Sequence, residues 1–135
     1  YDIMQTIPCP IRTVCMGTAA SFGALLFTAG DTREFFPHSK IMIHDPLIAG
    51  QGLTGSATLL HTKIDSLMET RQILGELLAR HTGKTLEEIY EKTAQDTWFT
   101  ASEAVDYGLA DTIIQTAETK STTKSSEEKG DQNND

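Results

Sequence analysis

Three side chains in this sequence are of types that could share a proton relay: Ser21, His44 and Asp96. A serine hydroxyl becomes a nucleophile only when a base takes its proton, and the base in turn needs a group that holds its tautomer. Ser21 is the one chemically capable polar residue in the small, apolar run Cys15-Met16-Gly17-Thr18-Ala19-Ala20-Ser21-Phe22-Gly23-Ala24-Leu25-Leu26. Arg12–Met16 reads as a short buried strand and Phe22–Ala29 as a buried helix ended by Gly30. Ser21 therefore falls where a strand turns into a helix. A helix N-terminus offers free N–H donors and partial positive charge, which is what an acyl-transfer site needs to hold an oxyanion. Two readings of Ser21 stand on this stretch alone, a nucleophile or the N-cap of a core helix.

The chain has four histidines. His38 lies in a Pro-containing turn, and His61 and His81 lie on a long helix, His81 near the end where a cation complements the dipole. His44 alone ends an apolar strand, Lys40–His44, which Asp45-Pro46 stops. It is either the base or a satisfied structural histidine. Asp45 is adjacent, but successive strand residues face opposite ways, so its carboxylate should aim away from the His44 ring. Asp96, just before the apolar pair Trp98-Phe99, is the better acid, although by itself it is an ordinary turn residue.

The elements that must position these groups are legible in outline. Tyr1–Ile7 reads as the last turns of a helix, with Ile3, Met4 and Ile7 on one side, closed by Pro8 and Pro10. The sequence thus reads as a piece of something longer. Asp31–Arg33 reads as a polar loop and Glu34–Phe36 as a strand. Residues 47–56 are Gly-rich, a flexible or edge-strand segment. A long helix is predicted from about Ala57 to His81, with a stripe at Leu60, Ile64, Leu67, Leu74 and Leu78 and Gly83 past its end. At about 37 Å it is long for so small a domain, so the stripe faces either this chain's core or another subunit. Two further helices carry the Thr-x-x-Glu capping box at Thr85/Glu88 and Thr100/Glu103. Ala110–Ile114 completes the fold as a strand. From Thr116 almost no apolar residue occurs, and residues 116–135 are expected to be a disordered tail following one domain at 1–115.

Whole-chain properties narrow the function. At 135 residues the chain is long enough for one domain with a real core. A net charge of −8 without a Lys/Arg cluster argues against a nucleic-acid surface. The longest apolar run is too short to span a bilayer. Cys9 and Cys15 have no metal-like neighbours and are expected as free thiols, and no phosphate-binding G-x-x-x-x-G-K-[ST] loop occurs. No cofactor or metal is called for.

Taken together, Gly17-Thr18-Ala19-Ala20-Ser21-Phe22-Gly23-Ala24, Met42-Ile43-His44-Asp45-Pro46 and Asp96 followed by Trp98–Leu109 resemble, in this order, the serine, histidine and aspartate motifs of the Clp protease proteolytic subunit family. Tyr1–Gln5 resembles the end of an early helix in that family, and the likeness covers roughly residues 1–114. It implies an α/β fold of crotonase-like repeated ββα units with a protruding strand-plus-long-helix handle at about 47–81. It implies a serine endopeptidase in which Ser21 is the nucleophile, His44 the base and Asp96 its orienting acid. The Phe22 backbone N–H would be one oxyanion donor, the other coming from a Gly-Gly segment upstream of Tyr1.

The resemblance further implies two stacked heptameric rings, an ATP-driven AAA+ unfoldase such as a Clp ATPase, unfolded protein as substrate, and a bacterial cytoplasmic setting, with an organelle matrix or stroma as the alternative. A non-catalytic scaffold subunit of the same ring is the second reading, and an acyl-CoA enzyme of the wider fold a third. The chain departs from the family at Asp45, usually Gln, and at Ala94-Gln95, usually an acid and then Arg that contact the opposite ring. The loop at Asp31–Phe36 looks shortened and the segment Gly50–Ser56 slightly extended.

Overall fold

The computed structural model describes residues 1–50 and 53–115. The expected tail at 116–135 lies outside the described residues. In chain order the elements are α1 (Asp2–Thr6), β1 (Arg12–Cys15), β2 (Thr18–Ala20), α2 (Phe22–Thr28), β3 (Thr32–Phe35), β4 (Lys40–Ile43), α3 (Ala57–Thr82), α4 (Leu86–Thr93), β5 (Thr97–Phe99), α5 (Ala101–Tyr107) and β6 (Thr112–Ile113).

Two three-stranded sheets result, β1-β3-β6 and β2-β4-β5. β3 lies parallel to β1 and β4 parallel to β2, with Arg12 opposite Thr32 and Thr18 opposite Lys40. The unit β1-β2-α2 is therefore repeated by β3-β4-α3, one copy beside the other, as expected for repeated ββα units. The chain crosses between sheets at a corner that Ser39 pins. Its hydroxyl, in a residue only 3% exposed, accepts from the Gly17 N–H at 2.8 Å and donates to the Cys15 carbonyl at 2.9 Å. Both cysteines are free, and burial pushes the Cys15 thiol up, away from thiolate chemistry.

The core lies where α2 meets both sheets. Ala24, Leu25 and Phe27 of α2 pack with Phe35, Ile41, Ile43, Leu78 and Phe99. Phe27 and Phe35 meet edge to face, with centroids 5.2 Å apart, and such a pair adds about 0.5–1.5 kcal/mol to the area it buries. Arg33 ties the far side together. Its guanidinium donates to the Asp111 carboxylate and to the His81 and Gly108 carbonyls, the ends of α3 and α5. That contact also holds the Asp111 carboxyl below its usual range.

Local signals were obeyed where they were strong. Both capping boxes form, Thr85 with Glu88 and Thr100 with Glu103. Gly83 and Gly108 end α3 and α5 in the left-handed region. Four expectations need correction. Thr18–Ala20 forms a strand before Ser21, because β4 pairs with it along its whole length. β3 starts at Thr32, inside the expected loop, drawn in by pairing to β1. Thr97–Phe99, given no element by its sequence, is a strand paired to β4, and Trp98 of that apolar pair is 51% exposed. The strand half of the handle is absent among the described residues of 47–56. Gly50 and Gly55 take φ of 106° and 144°, which break an extended pleat.

The long helix is present but its stripe is divided. Leu78 is buried and Leu74 packs on the core, whereas no residue from Ala57 to Thr70 is buried. Leu59, Ile64 and Met68 are exposed along that length. The face formed by Ile3, Met4 and Ile7 of the first helix region is likewise not buried.

Candidate active site

The register of one sheet brings the three candidate groups together. Ala20 lies opposite Met42, and the Ser21 N–H continues the ladder by donating to the Met42 carbonyl at 2.9 Å. On the other side of β4, Ile43 lies opposite Thr97 in antiparallel pairing, so the next pair along is His44 and Asp96. Ser21, His44 and Asp96 are each the first residue past the same edge of β2, β4 and β5.

The side chains meet at that edge. Ser21 Oγ is 2.8 Å from His44 Nε2, and His44 Nδ1 is 3.2 Å from Asp96 Oδ1. The imidazole thus stands between a hydroxyl and a carboxylate, with Nε2 beside the hydroxyl and Nδ1 beside the carboxylate.

Ser21 is held there by an unusual backbone. Its φ of 56° and ψ of −124° make it the one non-glycine residue with positive φ among the described residues. Such conformations cost of order 1–3 kcal/mol and persist where the surroundings enforce them. Here the enforcement comes from β2 on one side and α2 on the other, a sharp strand-to-helix turn that lifts the hydroxyl off the sheet. Ser21 makes no side-chain cap bond to α2, so the capping alternative does not describe it. Phe22 and Gly23 occupy the first turn of α2, where N–H groups have no carbonyl behind them to bond.

Beside the relay opens a cavity of roughly 490 Å³. Its walls are Phe22 and Leu25 of α2, Met42 and Pro46 around His44, and Leu74 and Leu78 of α3. Ser21 and His44 form its polar rim. The cavity was not legible in sequence, because its walls come from three separated elements whose packing brings them together.

Asp45 turns away from the ring, as strand alternation requires. Its carboxylate accepts from Arg71 Nε and Thr93 Oγ1, each at 2.6 Å. Sequence reasoning assigned no role to Arg71 or Thr93, which lie far from Asp45 along the chain. Among the described residues no group of three or more His, Cys, Asp or Glu could hold a metal, and no helix is long and apolar enough to cross a membrane.

Comparison with known proteins places the chain in a family. The family model described as Clp protease matches residues 1–117. The "ATP-dependent Clp protease proteolytic subunit 2" of Nocardia farcinica (strain IFM 10152) is 44% identical over 119 residues, 87% of this chain and 57% of that protein. The protein of the same name from Cutibacterium acnes (strain DSM 16379 / KPA171202) is 44% identical over 119 residues, 87% of this chain and 55% of its own. The chain spans a little over half the length of these curated relatives. With all of its described residues inside the family match, this chain belongs to the Clp protease family.

Proposed function

We propose that this chain carries the catalytic centre of a serine endopeptidase, the proteolytic subunit of an ATP-dependent Clp protease that cuts unfolded proteins into short peptides. The observation that carries the reading is the relay of Ser21, His44 and Asp96, at 2.8 and 3.2 Å, on the rim of an apolar cavity. Ser21 Oγ attacks the scissile carbonyl while His44 Nε2 takes its proton. The resulting tetrahedral oxyanion accepts a hydrogen bond from the Phe22 N–H. His44 then protonates the leaving amine, which departs and leaves an acyl-Ser21. Water, deprotonated by His44, attacks that ester and releases the acid and free Ser21. Throughout, Asp96 holds the Nδ1–H tautomer and offsets the imidazolium charge.

The cavity suits an apolar side chain next to the scissile bond, since its walls are Phe, Leu, Met and Pro. The exposed apolar residues on the unpacked part of α3, Leu59, Ile64 and Met68, support assembly with further copies of the chain. Stacked heptameric rings fed by an AAA+ unfoldase, in a bacterial cytoplasm, are the form of that assembly we propose. A scaffold subunit of the same ring fits less well, because it has no use for three aligned catalytic groups.

A fluorophosphonate probe tests the reading. It should label the intact protein at Ser21, and Ser21→Ala should abolish both labelling and peptide hydrolysis. Unchanged turnover in Ser21→Ala would refute it.

A further inference from the structure

Asp45 ties the end of β4 to the end of α4. It directly follows His44 in the chain. Its N–H donates to the Thr93 carbonyl at 2.7 Å, and its Oδ1 accepts from the Thr93 hydroxyl at 2.6 Å. Thr93 is the last residue of α4, is 4% exposed, and opens the short connection to Asp96. The remaining oxygen, Oδ2, accepts from Arg71 Nε of α3. The Arg71 guanidinium in turn lies 3.7 Å over the Tyr90 ring of α4. The Asp45 and Arg71 side chains are 31% and 23% exposed, so the pair is shielded and its charge-assisted bonds keep much of their strength.

The geometry points to Asp45 as a positioning residue. It fastens the residue after the base to the segment that leads into the acid, and so fixes the spacing of His44 Nδ1 and Asp96 Oδ1. Arg71 holds the second carboxylate oxygen and keeps Asp45 from rotating out of that clamp. The inference rests on the catalytic reading of Ser21, His44 and Asp96. It adds to that reading a residue that touches neither substrate nor reacting atoms.

A split between kcat and KM separates positioning from general support of the fold. Displacing the acid from the base lowers kcat and leaves KM largely alone, because neither Asp45 nor Thr93 lines the cavity. Thr93→Val is the informative variant, since it deletes one hydrogen bond and no charge.

The experiment measures peptide hydrolysis by the intact protein carrying Thr93→Val, Thr93→Ser, Asp45→Asn or Ser21→Ala, with folding checked by circular dichroism. Thr93→Val should lower kcat about ten- to a hundredfold, the scale expected for a misplaced catalytic group. KM should stay within about twofold. Thr93→Ser, which keeps the hydroxyl, should recover the rate. Asp45→Asn, which keeps the shape and an acceptor but weakens the hold of Arg71, should fall between. Equal behaviour of Thr93→Val and Thr93→Ser, or a Thr93→Val enzyme with normal kcat, would overturn the proposal. If Thr93→Val fails to fold, the kcat and KM of Asp45→Asn decide in the same terms, and a wild-type kcat there overturns it. Ser21→Ala keeps the two readings apart. Activity surviving in that variant would sink the relay itself, whereas its loss beside unaffected Thr93→Val would sink only the clamp.

Discussion

The His44 imidazole is 15% exposed, yet the Asp96 carboxylate 3.2 Å from its Nδ1 is 65% exposed. His44 is sheltered under the sheet edge while Asp96 faces water. In the proposed relay, orientation more than burial of charge is then the main service of Asp96, because a solvated carboxylate gives an imidazolium only modest Coulomb stabilisation.

Asp96→Asn should consequently behave as a tautomer defect. The amide can donate to Nδ1, which moves the ring proton to Nε2 and leaves no lone pair for Ser21. We expect kcat to fall about 10⁴-fold with the fold intact, the scale seen when an orienting aspartate is replaced this way. Steady-state hydrolysis of a short peptide, alongside a thermal melt, checks both halves of the expectation.

Ser21 pays for its position in backbone conformation. A glycine adopts φ of 56° without steric cost, and the strain relieved should exceed the entropy glycine adds to the unfolded chain. Ser21→Gly should be inactive and more stable by about 1 kcal/mol. A denaturant midpoint that rises while hydrolysis vanishes is the expected result.

His81 should give the fold a pH dependence of its own. The Tyr1 hydroxyl lies 2.7 Å from His81 Nε2, which accepts from the phenol when unprotonated. Burial, with Arg33 and Arg80 nearby, holds the imidazole below its usual value, against a smaller upward pull from Asp31. The unfolded chain therefore binds a proton more readily than the folded one. The His81 contribution is complete above the ordinary histidine value of 6.5 and is lost as pH falls below it, through the lowered value of the folded state. Urea midpoints should drop between neutral pH and about pH 5.5 in the wild type, and drop less in His81→Gln. The carboxyls of Glu88, Glu103 and Asp111, all held low, lose their contributions only at more acid pH.

The parts of this fold that could be read from sequence are those that announce themselves locally. The capping boxes at Thr85 and Thr100 and the glycine at 83 each act within one turn of a helix, and each was placed correctly. Thr18–Ala20 and Thr97–Phe99 carry too few residues for a period to show, and only β4 makes them strands. Ser21, His44 and Asp96 were chosen for type, local setting and order, and for their likeness to known motifs. Their mutual distances follow from a register no local pattern contains. Arg71 and Thr93 were out of reach for the same reason, since Asp45 meets them only after α3 and α4 have packed.

Because the three candidate groups stand one step beyond β2, β4 and β5, the chemistry inherits the sheet's reading frame. A single-residue insertion inside any of these strands would put the adjoining side chain out of register with its partners and dismantle the relay while leaving the apolar interior intact. The described residues of 47–56 belong to no strand and carry no such frame, and lengthening the segment should move none of the three. Changes in chain length are thereby steered into one segment and barred from three others.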